Sequence, residues 1–211
     1  PDLARSLQII ADQGRSAFYE GEIAEKLVKS TEGWFNLDDL KNHQTRISAP
    51  LTIRYRDHLI HGQPPPSQGM ILMEELLLAS GFDLENCALA DRIHLMVEAK
   101  KIAFADRYQL LGDPELVEVG LTELFSDTSI EPRRSQIDLS RANTTPIKYN
   151  QEGSDTTYFL VADKFGNALS WIQSIFHSFG ASWAIPDTGI IMNNRLTGFS
   201  LDPASPNQIA P

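Results

Sequence analysis

Hydroxyl and amide side chains gather in residues 153–180, and it is there that this sequence could do chemistry. Thr156 and Thr157 stand together at the head of one apolar stretch. Ser170, Gln173 and Ser174 follow on the next. An alcohol is a weak nucleophile until a base takes its proton, so a threonine or serine in this run would need such a base close by. By itself, a Thr-Thr pair opening a strand signals β-propensity and nothing more.

Those hydroxyls must be held by a hairpin. A strand opens at the Thr-Thr pair, a turn is expected at Asp163-Lys164-Phe165-Gly166-Asn167, and a second strand is expected over 168–175. Thr156 and Ser174 then become cross-strand neighbours. Further on, Gly189-Ile190-Ile191-Met192 reads as a short buried strand leading into Asn193-Asn194.

Upstream, periodicity predicts helices over 3–13, 21–30, 70–80 and 91–111, the last stopped by Gly112-Asp113-Pro114. Asn36 is expected to cap a short helix over 37–40. Residues 51–55 and 58–62 alternate like strands around an Arg56-Asp57 turn, and Pro64-Pro65-Pro66 must be loop. Residues 126–150 are polar, lack periodicity and carry Glu131-Pro132-Arg133-Arg134. They read as an exposed linker, with the arginine pair solvated and open to proteases. The C-terminal stretch, with Pro203, Pro206 and Pro211, reads as loop.

Composition narrows the classes of function. The chain has 211 residues, 42% of them hydrophobic, which suits one globular domain or slightly more. A net charge of −10 argues against nucleic acid, whose binding rests on neutralising phosphates. No apolar run nears the roughly 20 residues that span a bilayer. The single cysteine, Cys87, reads as a small apolar side chain and not a nucleophile. His58 and His61 fall on opposite faces of a strand, so no metal and no cofactor are expected. Asp113 and Glu115 read as a solvated turn.

An ordered set of short motifs runs the length of the chain. Phe18-Tyr19-Glu20-Gly21 comes first, then Pro64-Pro65-Pro66-Ser67, Glu98-Ala99-Lys100, Ala105-Asp106-Arg107 and Gly112-Asp113-Pro114. Thr156-Thr157 follows, then Asp163 to Ala168, Phe179-Gly180, and Thr188 to Asn194. In this the sequence resembles the γ-glutamyltransferases (γ-glutamyltranspeptidases), which are N-terminal-nucleophile hydrolases of αββα architecture. The resemblance implies an α+β fold, with 1–125 a mostly helical large-subunit segment and 126–155 a polar linker ending at a self-cleavage site. It makes 156–211 the start of the small subunit. Members cut themselves just before a threonine, here between Asp155 and Thr156. That threonine becomes both the new N-terminus and the nucleophile. The exposed α-amino group, with an unperturbed pKa of roughly 7.7–8.0, then serves as the base an internal threonine lacks. Ser174 matches the hydroxyl residue that touches the nucleophile. Partners would be a small-molecule γ-glutamyl or other acyl amide, water or an amine as acceptor, and the remaining parts of the two subunits. The resemblance spans periplasmic, secreted and cytoplasmic proteins and sets no compartment.

The sequence also departs from the family pattern. Members are more than twice as long. Paired serines that hold the substrate carboxylate and paired glycines that form the oxyanion hole are expected beyond residue 211. Losing one oxyanion donor costs about 100- to 1,000-fold in rate, so the 211 residues alone are expected to be inactive. Where the family has an asparagine, this chain has Phe176. Beyond Asn194, the family's two ammonium-gripping residues are replaced by Arg195 and Gly198. Three readings follow: a γ-glutamyltransferase or glutathione hydrolase, a related acylase or amidohydrolase for a non-glutamyl (glutaryl-like) acyl group, or a non-catalytic folded fragment.

Overall fold

The computed structural model describes residues 1–144 and 156–209. In it the chain divides into two compact units, one formed by Pro1–Arg46 with Asn150–Gly198 and the other by Ile47–Tyr149 with Phe199–Pro211. This division by packing is a different one from the expected large-subunit, linker and small-subunit segments. The first four helices belong with the hairpin that carries Thr156 and not with the long helices that follow them.

In the first unit, α1 (Asp2–Gln13), α2 (Arg15–Tyr19), α3 (Glu22–Ser30) and α4 (Leu37–Lys41) succeed one another. The cap expected at Asn36 forms a complete capping box. Its Oδ1 accepts from the backbone N–H of Asp38 and Asp39 at 2.8 and 3.0 Å, while Asp39 accepts from Asn36 N–H at 2.9 Å. The strands are β3 (Thr157–Ala162), β4 (Ala168–Gln173), β5 (Ala184–Ile185) and β6 (Ile190–Ile191), paired as two antiparallel hairpins. The hydroxyl of Ser6 donates to the Thr188 carbonyl at 2.9 Å and ties α1 to the turn between β5 and β6, with both residues buried. Gly189 follows with φ +68°, and a Cβ there would lie 2.5 Å from the Leu3 nitrogen. Only glycine lets the turn sit so close to α1. The strand at 190–191 is less buried than expected, since Ile191 is 40% exposed.

The second unit holds the hairpin of β1 (Leu51–Tyr55) and β2 (His58–Gly62), then α5 (Gly69–Ala79), α6 (Leu89–Leu110), α7 (Leu121–Leu124) and α8 (Asp127–Arg134). Leu95, Ala99 and Ala103 recur every four residues and form the buried stripe of α6. Leu95 and Ala99 pack with Leu78 of α5 and Ile130 of α8, and Ala103 with Met70 and Ile71 of α5.

Helix α8 replaces the first part of the linker expected over 126–150, at Asp127–Arg134, and residues 145–150 of that stretch lie outside the described residues. The arginines of α8 are not solvated. Arg133 donates from one nitrogen to the carboxylates of Glu74 and Asp106, and from the other to the Leu124 carbonyl and, at 3.0 Å, to Ser129 Oγ. Arg134 donates to the Leu78 and Leu77 carbonyls at 2.9 and 2.6 Å. These carbonyls belong to the last turn of α5 and have no partner within their helix, so Arg134 caps α5. Beyond α8 the chain is still bound to α6. His94, Glu98 and Lys101, which share one face of the helix at this spacing, meet Asp138 O at 2.8 Å, Asn143 N at 3.2 Å and Asn143 O at 2.7 Å respectively. Cys87 is half-buried just ahead of α6.

Candidate active site

The hairpin of β3 and β4 fixes the frame of the site. Its register runs from Thr157 opposite Gln173 to Ala162 opposite Ala168. The turn holds that register from the far end. Asp163 accepts from the backbone N–H of Phe165 and Asn167 at 2.8 and 3.0 Å and from the Asn167 side chain at 2.8 Å, while Gly166 takes φ +85°. The Asn167 side-chain bond, with help from the backbone, keeps the Asp163 carboxyl below its ordinary range. Thr156 and Ser174 flank the last pair of this ladder, Thr157 with Gln173. Thr156 is exposed, immediately ahead of β3. Asp155 lies outside the described residues.

The second strand ends at Gln173, two residues before the expected end. The reason is local. Ser174 Oγ accepts from the Phe176 backbone N–H at 2.9 Å, a side-chain-to-backbone turn that competes with the ladder, and Phe176 adopts φ +81°. Ser174 therefore sits where the chain leaves the sheet, half-buried.

A second loop, 193–198, closes on the first. Asn194 donates its backbone N–H to the Ile175 carbonyl at 3.2 Å. Its side-chain oxygen accepts from His177 N–H at 3.0 Å, and its amide nitrogen lies 3.0 Å from His177 Nδ1. The Asn193 side chain accepts from Arg195 N–H at 3.0 Å and starts the 3₁₀ turn Arg195–Gly198. The guanidinium of Arg195 lies over the Phe176 ring, 5.1 Å from Cζ to centroid, and reaches the Ser174 carbonyl at 3.4 Å. Phe176 stacks in turn on His177, with centroids 4.7 Å apart and planes 19° apart. A Cβ on Gly198 would touch the Phe176 ring at 3.5 Å.

Ser174, Phe176, Asn194, Arg195 and Gly198 thus converge from two loops, and Thr156 immediately precedes the strand that pairs with β4. The residue that sequence reading passed over is His177. It belongs to none of the motifs, and its partner stands 17 positions away. Neither loop contributes a carboxylate: 174–180 reads SIFHSFG and 193–198 reads NNRLTG. The arrangement offers two hydroxyls beside a cation stacked on an aromatic ring.

Comparison with known proteins places this geometry. The family model described as Gamma-glutamyltranspeptidase matches residues 1–211. The chain is 34% identical over 215 residues to the glutathione hydrolase-like YwrD proenzyme of Bacillus subtilis, covering all of this chain and 40% of that protein. It is 34% identical over 214 residues to the oxamate amidohydrolase proenzyme of Klebsiella pneumoniae, again covering all of this chain and 40% of the relative. The crystal structure of cephalosporin acylase from Bacillus halodurans superposes with a TM-score of 0.85 at 30% identity, over all of this chain and 39% of that one. The chain spans about two fifths of the length of these relatives.

Proposed function

Because this chain belongs to the γ-glutamyltranspeptidase family, we propose that it is the junction-bearing part of a proenzyme that cuts itself between Asp155 and Thr156 and then uses Thr156 for acyl transfer. In the first step Thr156 Oγ1 attacks the Asp155 carbonyl carbon, and the peptide bond gives way to an ester. Water hydrolyses that ester, leaving the Asp155 carboxylate and a free Thr156 α-amine. In the mature enzyme this amine takes the proton from Oγ1, which attacks the acyl carbonyl of an amide substrate. The amine of the substrate leaves with a proton, and water or an amine acceptor then releases the acyl group from Thr156. Ser174 is the hydroxyl that positions Oγ1.

The acyl group is one that ends in a carboxylate and lacks an α-ammonium. The observation that carries this is Arg195, stacked on Phe176 beside Ser174 in a loop pair without a carboxylate. Arginine has five donors and no acceptor, so it binds a carboxylate in a fork and cannot accept from an ammonium. The names of two relatives bear on this reading. One is named an oxamate amidohydrolase proenzyme, and oxamate carries a carboxylate and no ammonium. Another, 36% identical, is named an acylase proenzyme. The glutathione hydrolase proenzyme of Escherichia coli, 32% identical, supports the γ-glutamyl alternative.

A pair of anilides tests the assignment. Glutaryl and γ-glutamyl anilides differ only in the α-amino group. The full-length protein should show kcat/KM at least about tenfold higher for the glutaryl compound, since each 1.4 kcal/mol is a factor of ten. A preference for the γ-glutamyl compound would restore the γ-glutamyltransferase reading.

A further inference from the structure

Three aromatic and cationic groups form one stack at the edge of the candidate site, and its far end is pinned by an asparagine. His177 lies against Phe176 at 4.7 Å, and Phe176 lies under Arg195 at 5.1 Å. We propose that His177 is a positioning residue for substrate selection: held by Asn194 as the tautomer protonated on Nε2, it fixes Phe176, and Phe176 fixes the guanidinium of Arg195. The inference rests on the reading in which Arg195 binds the carboxylate of the acyl group.

The tautomer follows from the bonds around Asn194. Its Oδ1 already accepts from the His177 backbone N–H at 3.0 Å, so the group facing Nδ1 at 3.0 Å is the amide NH₂. An NH₂ only donates, so Nδ1 must be the accepting nitrogen, and the proton of the neutral ring is on Nε2. Protonating Nδ1 would set one N–H against another and break the contact. Nε2 is buried and has no hydrogen-bond partner among the described residues. Asn194 is therefore the one polar anchor this ring has among them.

The ring needs the anchor because of what it supports. Phe176 has φ +81°, an unusual conformation for a bulky side chain, and the bond from its N–H to Ser174 Oγ holds only its backbone. Its ring is fixed by faces: His177 stacked on it and Arg195 over it. Arg195 has a long, rotamer-rich side chain, and an exposed arginine without a platform samples many positions. Its side chain meets the Phe176 face and the Ser174 carbonyl. A guanidinium held over a ring face keeps its N–H groups in the ring plane's direction, available for a carboxylate. Asn194 supplies both the backbone lock on 175–177 and the ring lock on His177, so the loop pair and the stack form together.

The test uses the full-length mature protein and the two anilides. Replacing His177 by alanine should raise KM for the glutaryl anilide about three- to tenfold, the worth of an exposed-to-desolvated cation–π contact. That rise should exceed any fall in kcat and should be smaller for the γ-glutamyl anilide, whose α-ammonium is repelled by the guanidinium that holds the carboxylate the two compounds share. His177→Phe, which keeps the stacking face but loses the bond from Asn194, should recover only part of the loss. A residue that merely supports the fold would lower kcat for both substrates alike. Arg195→Ala is measured in parallel. If it raises the glutaryl KM while His177→Ala leaves it unchanged, the positioning role is wrong and the carboxylate reading stands. If Arg195→Ala itself leaves that KM unchanged, the carboxylate reading falls. Should His177→Ala not fold, ¹⁵N correlation spectra of the wild-type imidazole decide the matter. Unprotonated Nδ1 with protonated Nε2 supports the proposal, and a proton on Nδ1 overturns it.

Discussion

Thr157 pairs with Gln173 in the last rung of the β3–β4 ladder, which leaves Thr156 and Ser174 as the residues that flank that rung on the two strands. From this follows the first expectation. Thr156→Ala should leave the full-length proenzyme intact, a single mass on electrophoresis and mass spectrometry, because no hydroxyl remains to attack Asp155. Thr156→Ser should still be cut, giving a fragment that begins at residue 156. Cleavage of the alanine variant at the wild-type rate would remove Thr156 as the nucleophile. The isolated 211 residues should stay uncut.

Ser174 is expected to act on the mature enzyme through its hydroxyl. The same oxygen accepts from Phe176 N–H at 2.9 Å, so Ser174→Ala removes both the proposed contact to Thr156 and a support of the loop. A neutral hydrogen bond contributes about 0.5–1.5 kcal/mol, and kcat should fall about three- to tenfold. Ser174→Thr should retain most of it. In a structure of the mature protein the two hydroxyl oxygens should lie about 2.5–3.0 Å apart. A separation too long for one bridging water would exclude Ser174.

How much of this was legible in the sequence depended on range. The hairpin, its Asp163–Asn167 turn and the Asn36 cap were read correctly because each is decided by residues within a few positions of one another. Helix α8 was misread as linker because Arg133 is stabilised by Glu74, 59 positions away, and Arg134 by carbonyls of α5. A polar, proline-bearing run conceals such partners. The strand end at Gln173 was missed because one side-chain bond from Ser174 to the Phe176 backbone outcompetes β-propensity. Phe176, Asn194, Arg195 and Gly198 were found through motif resemblance and not through spacing. His177 had no motif and was found only when the loops were seen closed.

The buried cluster around Arg133 should make stability depend on pH. Glu74 is fully buried, and burial, with the neighbouring Asp106 carboxylate adding to it, pushes its carboxyl up to about 9. The folded state therefore holds a proton that the unfolded state releases near pH 4–5, the ordinary range of a glutamate. A group raised on folding stabilises below its unfolded pKa, and that contribution is lost as pH rises through the folded value. Thermal midpoints should thus fall between about pH 5 and pH 9. Glu74→Gln, which mimics the protonated form, should flatten this slope and be the more stable protein at pH 9. An unchanged slope in the glutamine variant would show that Glu74 is ionised in the fold. Arg133→Ala should lower stability in chemical denaturation, because it takes the shared donor away from Glu74, Asp106 and the Leu124 carbonyl.

The last prediction reverses the choice of acyl group. The resemblance expects ammonium-binding groups at the positions of Arg195 and Gly198, and the Phe176 ring lies 3.5 Å from a Cβ on Gly198. Arg195→Gln with Gly198→Asp supplies an acceptor and a negative charge. The aspartate Cβ fits at ordinary van der Waals distance, but its carboxylate would lie along the Phe176 ring. The double variant alone should therefore gain little activity on the γ-glutamyl anilide. Adding Phe176→Asn clears the ring and offers an amide acceptor. The triple variant should lose at least about tenfold in kcat/KM on the glutaryl anilide and gain at least about tenfold on the γ-glutamyl compound, since a desolvated charge pair is worth about 2–5 kcal/mol and each 1.4 kcal/mol is tenfold. If the double variant already switches preference, Phe176 is no barrier and serves only as the platform for Arg195. If the triple variant keeps the wild-type preference, selection between the two acyl groups is made by residues outside these two loops.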